Sequence, residues 1–177
     1  MVERVKRLNR ELTKRGAILD IYKDTMQLPN GKIEEWDFIS HRMGAAAVLP
    51  VLPDGRIIMV RQYRNALERE TLEIPAGSRD SVTEDTKVAA MRELREETGY
   101  TTENMSKLIS VKTTVAFCDE FIDIYLARDL TPGIQDLDEG ESIEIETYTL
   151  DELKQKIYAC EIQDAKTIAA IMAYAAM

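Results

Sequence analysis

The chain has 177 residues, 45% of them apolar and 31% charged, and a formal charge of −9. That balance excludes a disordered polymer and suits one domain with a proper core. The negative charge argues against nucleic acid or an anionic membrane as a general partner, since both would repel it.

The N-terminus, MVERVKRLNRELTKRG, is basic and polar with no apolar stretch, so no secretory signal is read there. No apolar run is long enough to span a bilayer. Residues 1–40 read as an arm of strands: Ile18–Tyr22 and Trp36–Ile39 carry β-formers, and Pro29-Asn30-Gly31 between them is a turn signal. Ala45–Leu52 is a continuous apolar run suited to a buried strand, and Pro53-Asp54-Gly55 turns the chain into a second strand, Arg56–Arg61. Leu72–Ile74 is short and extended, closed by Pro75-Ala76-Gly77.

A helix follows. Ser81 and Glu84 have capping-box spacing, and Gly99 stands where a helix C-terminus wants a residue tolerant of positive φ. Phe121–Ala127 and Ser142–Tyr148 read as strands, then Asp151–Tyr158 and Asp164–Ala176 as closing helices. Strands and helices mixed in this order indicate an α/β layered domain. Cys118 and Cys160 match neither a disulfide framework nor a zinc motif, so buried free thiols in a reducing cytoplasm are expected.

The chemistry concentrates in Arg92-Glu93-Leu94-Arg95-Glu96-Glu97-Thr98-Gly99. On a helix, Glu93 and Glu97 stack one turn apart, Glu96 flanks the same face, and Met91 and Leu94 point toward a core. Ala89, one turn before Glu93, is placed on the acidic face and is too small to obstruct it. Like charges at this spacing repel, and the helix dipole disfavours anions near its C-terminus. The stretch therefore opposes its own helix unless cations neutralise it, and hard ions such as Mg²⁺ or Mn²⁺ take such oxygen ligands. Taken alone, these glutamates are better read as a solvated helix paired through Arg92 and Arg95.

The longer pattern of Gly77, Glu84, Arg92-Glu93-Leu94, Glu96-Glu97 and Gly99-Tyr100 resembles the Nudix box. Six residues separate Gly77 from Glu84, where that family usually has five, so the loop is read as expanded by one residue. The resemblance implies a Nudix-type α/β/α sandwich with a mixed β-sheet and an N-terminal β arm. It implies metal ligands at Glu93, Glu97, Glu96 and the carbonyl of Ala76, with Arg92 holding the glutamates in orientation. From about Trp36 onward the chain is similar to the ADP-ribose pyrophosphatase branch, through Val60-Arg61-Gln62-Tyr63-Arg64, Glu73-Ile74-Pro75-Ala76-Gly77 and Asp164-Ala165-Lys166-Thr167.

That likeness implies Mg²⁺-dependent cleavage of a nucleoside-diphosphate sugar, ADP-ribose giving AMP and ribose 5-phosphate, with Mn²⁺ as a second metal. Arg64, a better phosphate contact than Arg61, joins Trp36, Arg42 and Glu73 on the substrate side. Trp36 could stack on a nucleobase, and His41 is read as structural. Glu141, in the polar stretch Asp138-Glu139-Gly140-Glu141, is the candidate general base, with Glu139 the fallback. Related arms form dimers, so residues 1–40 are expected to pair with a second copy and residues 41–177 to form the hydrolase domain.

One departure is Thr114-Val115-Ala116-Phe117-Cys118-Asp119-Glu120, where the branch often has Ser-Pro-Gly before Phe-x-Asp-Glu. Three alternatives follow: a hydrolase of GDP-mannose or another nucleotide sugar, an ADP-ribose sensor, and an acidic structural protein with no active site. Sensors of that type carry a DNA-binding domain, and no basic recognition helix is evident here.

Overall fold

The computed structural model describes residues 4–177; the first three residues of the expected arm lie outside the described residues. A meander opens the chain: β1 (Lys6–Arg15), β2 (Leu19–Gln27) and β3 (Ile33–His41). Its neighbours pair antiparallel, so β2 lies in the middle. The turn at Pro29-Asn30-Gly31 joins β2 to β3, with Gly31 at φ 82°.

The body is built around β4 (Ala45–Pro50), which is buried along its whole length. Side chains alternate across a strand, and β4 uses both faces. Ala45, Ala47 and Leu49 join one core with Ile122, Ile124, Leu153 and Ile171. Ala46 and Val48 join a second core with Ala89, Ala90, Leu94 and Tyr125. The apolar run reads as continuous because the strand is covered on both sides. A four-stranded sheet in the order β7-β4-β9-β8 results, with β7 Ala76–Ser78, β8 Asn104–Lys112 and β9 Phe121–Arg128. β4 and β9 run parallel, whereas β4–β7 and β8–β9 are antiparallel, so the sheet is mixed. Helix α1 (Thr86–Thr98) packs in the second core, and α2 (Leu150–Tyr158) and α3 (Ala165–Ala175) in the first. This is the expected α/β/α sandwich. A further sheet, β10-β5-β6, brings together β5 (Ile57–Arg64), β6 (Arg69–Glu73) and β10 (Ile143–Tyr148).

Several local expectations need correction. Asp85 caps α1, accepting from the backbone N–H of Lys87 at 2.7 Å. The Ser81–Glu84 spacing is instead a turn ahead of the helix, and the Glu84 carboxylate accepts from the Asp80 N–H at 2.7 Å. Ala89 is fully buried in the core rather than set on the acidic face. Strand β8 escaped the sequence because a bulge between Lys107 and Ile109 breaks its alternation, and β7 is only three residues long. Cys118 is half-buried and Cys160 exposed, both as free thiols, so neither is a core thiol. Among the described residues no helix is long and apolar enough to cross a membrane.

Gly99 ends α1 in the left-handed conformation (φ 75°), its N–H returning to the Arg95 carbonyl. A Cβ there would stand 2.8 Å from the Ile134 carbonyl carbon and 2.9 Å from the Gln135 nitrogen. Both are backbone atoms and cannot swing aside. Gly99→Ala is therefore expected to cost about 1–3 kcal/mol, readable as a lowered midpoint in urea unfolding.

Candidate active site

A cavity of about 340 Å³ lies over the outer face of α1, lined by Gln62, Arg64, residues 76–80, Arg92, Glu93, Glu96, Glu97, Asp138 and Glu141. The β4–β7 pairing carries Ala76, Gly77 and Ser78 past the last turns of α1. Gly77 comes so close that an added Cβ would sit 2.2 Å from Glu93 Oε1; glycine is needed here for space, since any side chain would occupy the carboxylate's position. The Ala76 N–H donates to Glu97 Oε2 at 3.1 Å.

Arg92 lies among the acids. It donates to Glu93 at 2.6 Å, Glu96 at 3.2 Å and the Ser78 carbonyl at 2.9 Å. Asp80, in the loop after Gly77, stands 3.4 Å from it. The Nε of Arg92 is buried without a hydrogen-bond partner, the Glu84 carboxylate being 3.7 Å away. The loop itself is tied down by Arg79, which donates to the carbonyls of Met43, Val82 and Glu84.

Glu93 and Glu97 are 8% and 4% exposed, far more buried than a solvated helix face would leave them. Burial lifts Glu93 to about 7, against the pull of Arg92. Burial and then the nearby Glu93 lift Glu97 to about 8. Two buried carboxyls that ionise only near neutrality invite a cation. Among the described residues, no three His, Cys, Asp or Glu side chains lie close enough to hold one ion. The physical reason is that Glu96 is drawn toward Arg92 and Arg95 (3.2 and 2.8 Å) while Glu97 is turned to the Ala76 N–H. The donor set still fits Mg²⁺ or Mn²⁺: carboxylates and main-chain oxygens, with room for water and phosphate oxygens to complete the shell.

Arg64 edges this cavity but its fork is engaged. Nε and one terminal nitrogen donate to the two Glu73 oxygens at 2.7 and 2.6 Å. Glu73 also accepts from Thr71 and Lys166. Burial alone would raise its pKa, yet the Arg64 and Lys166 partners outweigh burial and bring it to about 2. Glu73 is 2% exposed with both oxygens taken, and it braces Arg64; it does not line the acidic cavity but does line the neighbouring one. Arg61 points to the other face of β5 and pairs with Glu146. Beside the acidic cavity is a second one of about 600 Å³, sharing Arg64, Ala76, Gly77 and Ser78, and reaching Thr113, Thr114, Glu120 and Gln163. A third cavity, about 1000 Å³, lies around Val88, Met91 and residues 101–104, and holds none of Glu93, Glu96 and Glu97.

Some expected site residues stay apart. Trp36 is 43% exposed on β3, its indole N–H donating to Glu34, and lines neither cavity. Arg42 donates to the carbonyls of Gly16 and Ala17 and faces Asp20 at 3.5 Å, fastening the β1–β2 turn to the body. His41 is packed inside, its Nδ1 accepting from the Gly44 N–H. Glu141 reaches the acidic cavity and Glu139 does not line it. Gln62 and Asp138 line it without having been singled out. The signal for Gln62 was strand alternation, which places it on the Arg64 side of β5; Asp138 had none beyond its acidic neighbours.

Comparison with known proteins fits this geometry. The NUDIX domain model matches residues 41–170. The chain is 40% identical over 158 residues to a Bacillus subtilis protein named ADP-ribose pyrophosphatase, covering 88% of this chain and 84% of that one. It is equally similar, over the same shares, to a Bacillus methanolicus protein named methanol dehydrogenase activator. A solved structure described as an ADP compounds hydrolase superposes with a TM-score of 0.87 at 21% identity, over 98% of this chain and 94% of that one, which shows the shared fold. A sandwich of this topology, carrying the glutamate helix and matched by that domain model over most of its length, leaves one assignment: the chain belongs to the Nudix hydrolase family.

Proposed function

We propose that the chain hydrolyses the diphosphate bond of ADP-ribose, giving AMP and ribose 5-phosphate. The observation that carries this reading is the burial of Glu93 and Glu97 beside Gly77, under a cavity that continues into a larger one. The name of the Bacillus subtilis relative supports the substrate. Mg²⁺, or Mn²⁺, would be held by Glu93 and Glu97 with Glu96 and the Ala76 carbonyl, and would supply charge neutralisation and polarisation of the diphosphate.

The protein's own groups do the rest. Arg92 steers Glu93 and Glu96. Arg64, braced by Glu73, keeps a terminal nitrogen for a phosphate oxygen, and the brace lowers the entropy lost when it binds. On this reading Glu73 serves the substrate side by bracing Arg64 at the wall of the larger cavity. Glu141 takes a proton from water attacking phosphorus. The arm, residues 1–40, docks on a second copy: Leu8, Leu12, Ile21 and Trp36 are exposed in its sheet, and Trp36 would meet a nucleobase only through such an assembly. A monomer by light scattering would contradict this part. Free thiols at Cys118 and Cys160 suit a reducing cytoplasm.

The test is a panel of nucleoside-diphosphate compounds, GDP-mannose included, in Mg²⁺ and Mn²⁺ with the products identified. AMP and ribose 5-phosphate from ADP-ribose are expected. Tight binding without turnover would point to a sensor. Glu141→Gln is expected to reduce kcat on the order of 10²–10⁴-fold with little change in KM.

A further inference from the structure

We infer that Gln135 is a positioning residue that holds the Glu141 loop over the carboxylates of α1. The inference rests on the reading of Glu141 as the base. Helices leave their last carbonyls without intrahelical partners, and here the 133–136 segment supplies them. The Gln135 side-chain amide donates to the Glu97 carbonyl at 2.7 Å and to the Ile143 carbonyl at 3.3 Å. One amide thus bridges the turn that carries Glu97 and the first residue of β10. The Asp136 N–H donates to the Glu96 carbonyl at 3.0 Å, and Arg95 reaches the Asp136 carboxylate at 2.7 Å.

Behind Gln135 the backbones are in close contact. A Cβ on Gly133 would stand 2.6 Å from the Gly99 carbonyl oxygen. Thr101 and Thr131 exchange backbone hydrogen bonds of 3.0 and 2.8 Å. The loop is thereby anchored on its incoming side, and β10 begins at Ile143. Between these anchors, Asp138 and Glu141 bond chiefly to each other, the Glu141 N–H to the Asp138 carbonyl and the Asp138 N–H to Glu141 Oε2. Gln135 is half-buried in a loop whose neighbouring residues are mostly exposed. Its two N–H groups are both used, and each fastens one side of the Glu141 turn. The backbone that sets Glu97 therefore also sets the height of Glu141 above it.

Gln135→Ala is expected to lower kcat about 10–100-fold, the range seen when an outer-shell partner is lost, with KM for ADP-ribose within about twofold. Amide hydrogens of residues 136–142 should exchange faster, with those of α1 unchanged. Gln135→Met, which keeps length and loses both donors, is measured alongside and is used if the alanine variant does not fold. Combined with Glu141→Gln, the Gln135 change should add no further loss. Unchanged kcat and unchanged exchange in both variants would overturn the inference, as would a full additive loss in the double variant. If Glu141→Gln alone retains wild-type rate, the base assignment fails; faster exchange of 136–142 in Gln135→Met would then still identify Gln135 as the loop's anchor.

Discussion

Glu97→Gln is expected to lower turnover on the order of 10³-fold, about 4 kcal/mol of transition-state stabilisation, at saturating Mg²⁺ and with the fold intact. Glutamine keeps the shape and still accepts from the Ala76 N–H, so structure is retained while the negative charge that would draw a cation is removed. The same substitution has a stability signature of opposite sign. The folded-state pKa of Glu97 stands at about 8, above its ordinary 4.5, because burial and Glu93 disfavour its charge. A carboxyl raised in this way binds its proton more tightly in the folded chain. The stability it contributes is complete below about pH 4.5 and is lost as pH climbs through about 8. In the presence of a chelator, wild type should lose thermal stability from pH 5 to pH 9, and Glu97→Gln should lose less. Glu93, at about 7, leaves a smaller loss in the variant. Mg²⁺ should restore the wild type at high pH and leave the variant nearly unmoved. A variant with wild-type turnover would remove Glu97 from the proposed metal site.

Gly77→Ala is expected to cut kcat/KM on the order of 10²-fold, the scale of a misplacement of about 1 Å at a reacting centre, with only a small change in melting temperature. The new methyl would lie 2.2–2.6 Å from the Glu93 carboxylate atoms. Gly77 does not have a positive φ, so alanine introduces no backbone strain there. The carboxylate is the far end of a flexible side chain and can move, which is why activity is lost more than stability. Its movement also breaks the 2.6 Å contact with Arg92. Metal titration followed by calorimetry should show weakened Mg²⁺ binding. Full activity with an undisturbed Glu93 in a crystal structure would contradict the proposed role of this contact. After Gly77 the loop is tied down by Arg79, and Asp80 is carried to the cavity edge near Arg92.

Much of this protein was determined by local pattern. The i, i+4 spacing of Glu93 and Glu97 places them on one helical face wherever the helix goes, and the continuous apolar run Ala45–Leu52 prescribes a buried strand. Gly99 and Asp164 announce helix ends for reasons internal to the backbone. Tertiary structure decided what depends on groups far apart in the chain. The depth at which Glu93 and Glu97 are buried, and hence their titration near neutrality, comes from β7 crossing the helix. Arg64 is held by Glu73, which in turn is satisfied by Lys166 from 93 residues away. The loop bearing Glu141 is set by Gln135, a residue type with no local signature, through a carbonyl 38 positions earlier. Periodicity records which way a side chain points from its own element; only packing determines what stands opposite it, how much water remains, and so how strongly its charge is felt.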